Sequence, residues 1–262
     1  MTTPSAQVLR YLTPKRAEFL KNFRTHPYIS TEDAYELASA KTDSAKRGTR
    51  RFLMLLYQAG YLLRTPVFSQ EVIRNPHFQY SYRLSKHGAK IVHGSFTAEK
   101  SPYSLPHDQE ITTFHLRLER AYPGTVFWQQ RDLKKSSVYP DALFGLSKDG
   151  KNAVYFFLEI EKSRPNHVKD GMSGLEAKLR RYDEYRDTDH CEKDWKLFRN
   201  YRVIVVVRTE DRQRNLLARL SPLLPYRFIW VTTEELYKQD IMSKIFLTPK
   251  DFTKSAYSLS EV

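Results

Sequence analysis

The sequence predicts an α/β fold (α+β overall), in which a helical N-terminal domain precedes a domain built on a mixed β-sheet. Three observations predict it. The 262 residues exceed what one average domain needs. The stretch from His93 to Pro106 is rich in Gly, Ser and Pro, as linkers are. Helical patterns dominate before this stretch, and strands alternate with helices after it. We therefore expect domains at residues 1–94 and 105–262, joined by a linker at 95–104.

The positive charge of the chain is concentrated in its first part. The whole sequence carries a net charge of +13, of which residues 1–100 hold +9 and residues 101–262 hold +4. Such an excess favours a polyanionic partner, which charge alone leaves open between DNA, RNA and a membrane surface. Hydrophobic residues make up 40% of the chain, enough for packed cores, so a disordered chain is excluded.

Composition also indicates the cellular compartment in which the protein is expected. No run approaches the ~18 apolar residues that a membrane span needs, so we expect none. The first residues lack the basic and then apolar pattern of a signal peptide. The single cysteine, Cys191, excludes an internal disulfide framework and a cysteine-based zinc site. These patterns predict a cytoplasmic protein.

The first domain is predicted to begin with three helices. The first starts at Thr13-Pro14, and the second starts at the capping-box sequence Ser30-Thr-Glu-Asp33. The third spans about residues 43–59 and is basic in its first half and apolar in its second half. In helix-turn-helix proteins the first residues of the corresponding helix reach the DNA major groove. The basic residues expected to bind DNA there are Lys46, Arg47, Arg50 and Arg51.

Two strands and a short helix are predicted to complete a winged helix-turn-helix. Residues 61–68 and 78–84 have strand patterns, and a polar loop joins them into a wing. The sequence Tyr82-x-Leu84-Ser85-x-x-Gly88 is similar to the segment that leaves the wing in many winged-helix regulators. The alternative is a three-helix domain whose basic face is only solvated.

The second domain is predicted to start with a helix over residues 105–121. Strand patterns follow at residues 126–128, 139–144, 153–161, 201–207 and 228–231. Helices are expected at residues 174–186 and 209–220, and a short one after Thr232. Strands that alternate with helices imply parallel crossover connections, so we expect a mixed α/β sheet.

Three acids in this domain have the spacing of a PD-(D/E)xK nuclease core. Pro140-Asp141 is followed, after seventeen residues, by Glu159-Ile160-Glu161-Lys162. Phosphodiester hydrolysis uses a divalent metal to polarise the phosphate and to lower the pKa of the attacking water. Mg²⁺ and Mn²⁺ prefer oxygen ligands, so we predict Asp141, Glu159 and Glu161 as the ligands of Mg²⁺ or Mn²⁺. The alternative is a strand end with solvated acids.

The lysine of the pattern is replaced by Glu161. Because side chains alternate along a strand, Glu159 and Glu161 share a face, and Lys162 points away unless the strand has ended. Two interpretations stay open. Either Glu161 is an additional ligand and a helix lysine such as Lys178 has taken the catalytic role, or the site is weakened. Lys162 and Lys178 are therefore both candidate catalytic residues.

Missing motifs exclude other mechanisms. The sequence has no G-x-x-x-x-G-K-[ST] loop and no G-x-G-x-x-G after a strand, so we expect no nucleotide cofactor. It also has no G-x-S-x-G elbow for a serine nucleophile. No His-x-His pair is present to hold the metal of a tyrosine-using relaxase.

Short motifs spread along the chain point to one family. They are His107-Asp108 at a helix start, residues 139–142, 156–161, 175–182, 202–209 and 230–233. Together they resemble the replication-relaxation family and, within it, the MobC-type relaxases of mobilisable plasmids. The likeness covers nearly the whole chain.

The resemblance implies a winged helix followed by a restriction-endonuclease-like domain that nicks one strand of plasmid DNA at a transfer origin. It implies metal-dependent cleavage with Asp141 and Glu159 as ligands, assisted by Glu161 or a nearby lysine, with His107 or Asp108 lining the pocket. Duplex DNA and accessory mobilisation proteins are the expected partners. The alternative is a non-catalytic winged-helix regulator of plasmid or phage replication with a degenerate nuclease fold.

Overall fold

The computed structural model of the protein divides into two compact units, Met1–Thr113 and Phe114–Val262. The described residues are 12–67, 80–96, 98–101, 104–130, 133, 138–147, 153–162, 168–169, 172–186, 201–223, 228–253 and 255–261. The predicted domain borders at residues 94 and 105 precede this division and stay predictions. Within the described residues, no helix combines the length and the apolar character that crossing a membrane requires.

The first unit contains the helices and the strand pair expected of a winged helix-turn-helix. Its helices are α1 (Pro14–Thr25), α2 (Thr31–Leu37), α3 (Asp43–Gln58), α4 (Lys86–Ile91) and the start of α5 (Leu105–Ala121). Its strands are β1 (Ile29–Ser30), β2 (Leu62–Pro66) and β3 (Tyr80–Leu84), which pair antiparallel in the order β1-β3-β2. The loop between β2 and β3 lies outside the described residues.

Local capping starts α2 and α3. The Ser30 hydroxyl accepts a hydrogen bond from the Asp33 backbone N–H at 3.0 Å, and the Asp33 carboxylate accepts one from the Ser30 N–H at 3.0 Å. This reciprocal pair is the predicted capping box. The Thr42 hydroxyl accepts a bond from the Ala45 N–H at 3.2 Å and caps α3. The two helices are therefore separated by a short turn, as in a helix-turn-helix.

The segment leaving β3 requires glycine for a packing reason. A Cβ on Gly88 would lie 2.1 Å from the carbonyl oxygen of Tyr61. The Ser85 hydroxyl accepts a bond from the Gly88 N–H at 2.9 Å and donates one to the Gly60 carbonyl at 2.5 Å. Ser85 and Gly88 thus hold α4 against the end of α3, which explains the pattern noted in the sequence.

The second unit is built on a five-stranded mixed sheet. Its strands are β4 (Val126–Gln129), β5 (Ala142–Ser147), β6 (Ala153–Ile160), β9 (Tyr201–Val207) and β10 (Ile229–Thr233), in the order β10-β9-β6-β5-β4. A separate short pair is formed by β7 (Val168–Lys169) and β8 (Met172–Ser173). The helices are the end of α5, α6 (Gly174–Arg186), α7 (Glu210–Leu220) and α8 (Glu234–Asp240).

The type of strand pairing changes once across this sheet. Strands β4, β5 and β6 pair antiparallel, whereas β6, β9 and β10 pair parallel. The parallel pairs are joined by crossovers that contain α6 and α7, as parallel strands require. The predicted α/β class, with a helical first unit that carries a small antiparallel sheet and a second unit built on a mixed sheet, is confirmed by this architecture.

Helices cover both faces of the sheet. On one face, apolar residues of α6 and α7 such as Leu179 and Leu217 pack on Phe157 and the valines of β9. On the other face, Phe114 of α5 and Tyr237 of α8 pack together beside Phe144 of β5. Alternation along β6 therefore directs Phe157 and Glu159 toward α6.

Candidate functional site

Two carboxylates meet at one end of the β5–β6 pair. Asp141 immediately precedes β5, and Glu159 is the penultimate residue of β6. Since the strands run antiparallel with Ala142 opposite Leu158, Asp141 lies opposite Glu159. The Asp141 backbone N–H donates to the Leu158 carbonyl at 3.0 Å, and its carboxylate accepts from the Ile160 N–H at 2.8 Å. The pairing register thus explains why acids separated by seventeen residues come together.

Helix α6 supplies two partners to Glu159. The Lys178 ammonium lies 2.5 Å from Oε2 of Glu159, and the Tyr182 hydroxyl donates to Oε1 at 2.6 Å. Lys178 and Tyr182 are four residues apart, so they lie on the same side of the helix. Glu159 is buried, with 3% of its surface exposed. A buried carboxylate needs such partners, because an unpaired charge in the protein interior is costly.

Burial dominates the titration of Glu159. Desolvation and the nearby negative charge of Asp141 raise the pKa of Glu159 to about 8, although the Lys178 ammonium and the Tyr182 hydroxyl oppose this shift. The pKa of Tyr182 is also raised, by its own burial and by the charge of Glu159. Negative charges on Asp141 and Glu159 repel each other, and a cation between these two carboxylates would relieve that repulsion.

Glu161 is held by an arginine of α7. It follows β6, and its backbone N–H donates to the Val206 carbonyl at 2.9 Å. Its carboxylate accepts two bonds from Arg212, from Nε at 2.7 Å and from a terminal nitrogen at 2.5 Å. The Glu161 side chain is only 8% exposed, whereas that of Arg212 is 27% exposed. The pair has the bidentate geometry in which arginine binds carboxylates most strongly.

Further ion pairs surround these groups. Arg219 of α7 lies 2.9 Å from the buried carboxylate of Glu176 on α6, which links the two helices. Lys162 binds Glu234 of α8 at 2.6 Å. Among the predicted lysines, Lys178 therefore contacts Glu159, whereas Lys162 is paired with a different helix.

His107 belongs to the other unit. Its Nδ1 lies 3.5 Å from Oδ1 of Asp108 in the first turn of α5, and Asp108 also pairs with Lys100 at 3.0 Å. These residues fall in Met1–Thr113, whereas the three acids fall in Phe114–Val262. The role of His107 stays a prediction, and Cys191 lies outside the described residues.

The fit to a divalent metal depends on two carboxylates. Across the described ranges, no three acidic, histidine or cysteine side chains are grouped closely enough to share a metal. Mg²⁺ needs only one or two protein carboxylates when it keeps several waters. Asp141 and Glu159 are the two carboxylates that could bind a hydrated Mg²⁺ or Mn²⁺, and such an ion would take the place of the Lys178 ammonium or the Tyr182 hydroxyl on Glu159. Glu161 as a third ligand stays a prediction, because Arg212 occupies its carboxylate.

The predicted DNA-binding residues of α3 divide into two pairs. The Lys46 ammonium lies 5.8 Å and the Arg50 guanidinium 5.5 Å from the ring centre of Tyr35 in α2. Arg50 also hydrogen-bonds the Tyr35 hydroxyl. Arg47 and Arg51 are exposed, and no hydrogen bond or ion pair to another described residue holds them. All four lie in the first half of α3.

Sequence reasoning missed Tyr35, Tyr182 and Arg212. The sequence did contain an indication of the role of Tyr182, because this residue follows the candidate Lys178 by four residues on a predicted helix and so lies on the same side of it. Tyr35 and Arg212 had none, since their contacts join elements whose packing the sequence does not show.

Comparisons with known proteins identify a family and a distantly similar solved structure. A model of the family described as Replication-relaxation matches residues 20–200. No curated protein matches the sequence significantly. Among solved structures, the restriction endonuclease FokI is similar at 10% sequence identity and a TM-score of 0.37, over 86% of this chain and 43% of the endonuclease. The chain therefore spans less than half the length of that enzyme.

Proposed function

The chain belongs to the replication-relaxation family, and we propose that it is a relaxase that nicks one strand of plasmid DNA at a transfer origin. The observation that supports this most is the meeting of Asp141, Glu159 and Lys178 at one end of the sheet. Two carboxylates and a lysine are the groups that metal-dependent phosphodiester hydrolysis uses.

Each of these residues has a distinct role in the proposal. Asp141 and Glu159 would hold Mg²⁺ or Mn²⁺, which when bound would polarise the phosphate and lower the pKa of the attacking water. The Lys178 ammonium, 2.5 Å from Glu159, stabilises negative charge that develops on the phosphate. It takes the place of the lysine that usually follows the acid two positions later. Tyr182 orients Glu159 through its hydroxyl.

The winged helix supplies recognition in this proposal. Lys46, Arg47, Arg50 and Arg51 bring positive charge to the helix that would enter the major groove. Phosphate contacts of this kind position a protein on duplex DNA and contribute most of its non-specific affinity.

A second function is favoured by the ion pairs themselves. Both oxygens of Glu159 and both oxygens of Glu161 already accept hydrogen bonds from protein groups. A domain with its acids neutralised in this way suits a non-catalytic DNA-binding regulator of plasmid or phage replication. The two functions differ in whether Asp141 and Glu159 are needed for a covalent change in DNA.

A nicking assay separates them. The purified full chain is incubated with a supercoiled plasmid that carries the DNA flanking its own gene, and with the empty plasmid, in Mg²⁺, Mn²⁺ or EDTA. The relaxase proposal predicts metal-dependent open circles from the first plasmid only. Asp141→Ala and Glu159→Gln abolish them, whereas Glu184→Gln, an exposed acid of α6, does not.

Binding measured on the same plasmids completes the test. Tight binding of the flanking DNA without nicking under any metal would favour the regulator. Nicking that persists in Asp141→Ala would contradict the proposed site.

A further inference from the structure

Arg64 of β2 lies over the rings of two tyrosines in the first unit. Its guanidinium carbon lies 4.3 Å from the ring centre of Tyr57 and 4.4 Å from that of Tyr80. Tyr57 comes from the last turn of α3, and Tyr80 is the first residue of β3. A side chain that sequence reasoning did not select is thus fixed between the basic helix and the wing.

Contact with two aromatic rings leaves the N–H donors of the guanidinium for other partners. The five N–H donors of arginine lie in the plane of the group, and a cation–π contact uses none of them as a hydrogen-bond donor. No hydrogen bond or ion pair joins the side chain of Arg64 to another described residue. Tyr57 is 36% exposed and Arg64 is partly exposed. The donors are therefore held in one orientation near the surface.

Arg64 continues the row of cations on α3. Lys46, Arg50 and Tyr57 lie on one side of that helix, as the period of 3.6 residues requires. Tyr35 contacts the first two, and Tyr57 contacts Arg64. Tyrosines thus hold three cations in a row from the start of α3 to the wing.

We propose that Arg64 binds a backbone phosphate of duplex DNA and extends the recognition surface from α3 onto the wing. The inference rests on the proposed DNA-binding function. A planar, fixed fork of N–H donors matches phosphate oxygens, and arginine is favoured where bidentate phosphate contacts occur. The rings hold the side chain in place before binding, so less conformational freedom is lost when the contact forms.

The test measures affinity for a short duplex of random sequence across a series of salt concentrations, with the full chain. A phosphate contact contributes about one unit to the slope of log K against log salt. We expect Arg64→Gln to weaken binding roughly tenfold and to reduce this slope by about one. Arg64→Lys keeps the charge but loses the planar fork of donors. We expect its affinity to lie between those of the natural protein and Arg64→Gln. Lys90→Ala, an exposed cation of α4, is the one-charge control and leaves the slope unchanged.

A second variant tests whether the tyrosine contacts position Arg64 for binding, independently of whether the protein folds. Tyr57→Leu keeps the charge of Arg64 but removes one stacking face, so we expect weaker binding with little change in slope. Circular dichroism establishes that each variant is folded.

The outcomes distinguish this inference from the function on which it rests. If the natural protein binds the duplex and Arg64→Gln behaves like Lys90→Ala, the role of Arg64 is overturned and the DNA-binding function stands. A loss confined to one base sequence would also overturn the phosphate contact. If the natural protein binds no duplex even at low salt, both fail.

Discussion

The charged groups at the end of the sheet differ from those on the winged helix in burial and in partners. Glu159 and Glu176 are buried and the Glu161 side chain is only 8% exposed, and each is paired with a cation from α6 or α7. On α3, Arg47 and Arg51 reach solvent, while the other cations lie on aromatic rings. A buried charge must be paired to be tolerated, whereas an exposed cation keeps its water and its free donors.

This difference has a functional meaning. Any ligand at the sheet end must join or displace existing ion pairs, so binding there is coupled to the internal packing of the domain. A polyanion on α3 displaces only water and counterions. The first region is suited to chemistry in a fixed geometry, and the second to fast, salt-sensitive association.

Removal of Lys178 gives the largest expected effect. Its ammonium is the cation nearest to Glu159, and stabilisation of charge by one such group is worth roughly 3 kcal/mol, or about 100-fold in rate. Lys178→Met should therefore slow nicking about 100-fold and leave duplex affinity unchanged. Arg181→Met, an exposed cation of α6, is the control for lost charge. Equal rates in both variants would show that Lys178 is only structural.

The pH dependence of stability tests whether Glu159 is as buried as it looks. Its pKa is about 8 in the folded protein against an ordinary value of 4.5 for glutamate, so the folded state holds an extra proton between these pH values. The free energy of unfolding should then fall as pH rises through this window, by roughly 1 kcal/mol per pH unit from this group. Denaturant unfolding of Glu159→Gln should show a flatter profile from pH 5 to pH 8. Parallel profiles would contradict the shift.

The Glu161–Arg212 pair sharpens the contrast between buried and exposed charges. Loss of one partner from a fully buried pair costs about 3–5 kcal/mol. Because Arg212 is partly exposed, we expect Arg212→Ala to lower the free energy of unfolding by about 2 kcal/mol. Glu161→Ala should cost less, since it leaves the more exposed partner. Arg214→Ala removes the exposed pair with Asp211 on the same helix and should cost under about 0.5 kcal/mol. Equal losses of unfolding free energy in Arg212→Ala and Arg214→Ala would show that the buried pair contributes no more to stability than the exposed one.

Loss of the cations of α3 should affect DNA binding more than stability. Arg50→Ala combined with Arg51→Ala should weaken duplex binding about tenfold and flatten its salt dependence. The double variant Lys15→Ala and Lys90→Ala removes the same charge at exposed positions and is the matched control. If the two double variants bind alike, the basic face of α3 is only solvated.

Removal of the Ser30 hydroxyl, which caps α2 and binds the buried carboxylate of Asp33, gives the smallest expected effect. Asp33 accepts bonds from the Ser30 hydroxyl at 2.6 Å and from the Thr113 hydroxyl at 2.8 Å, and burial raises its pKa. Ser30→Ala should lower the free energy of unfolding by about 1 kcal/mol through loss of the cap. Thermal unfolding of Ser30→Ala measures this loss. The control is Ser44→Ala, which changes an exposed serine of α3. A loss no greater than in Ser44→Ala would mean that the capping box contributes little.

The sequence predicts local features well because they depend on neighbouring residues. The capping box at Ser30, the basic start of α3 and the alternation that separates Glu159 from Lys162 all follow from spacings of a few residues. The meeting of Asp141 with Glu159 was also predictable, because a known motif spacing encodes the pairing of two strands.

Contacts between distant elements were not predictable in the same way. The attachment of Arg212 to Glu161 depends on how α7 packs on the sheet, and Arg64 depends on where the end of α3 meets β3. No periodicity or local spacing reports these distances. Lys178 was one of two candidate lysines, with Lys162, and only the packing of α6 brings it to Glu159.

The origin of Lys178 on a helix has a consequence for how such a site can change. A lysine on the same strand as its acid is fixed at the repeat of the pleat. A lysine on α6 is placed by helix packing, which can shift or rotate while the pairing of β5 and β6 stays the same. The distance between the two carboxylates and their distance to the ammonium are therefore independent variables, and substitutions in the α6 interface can alter one without altering the other.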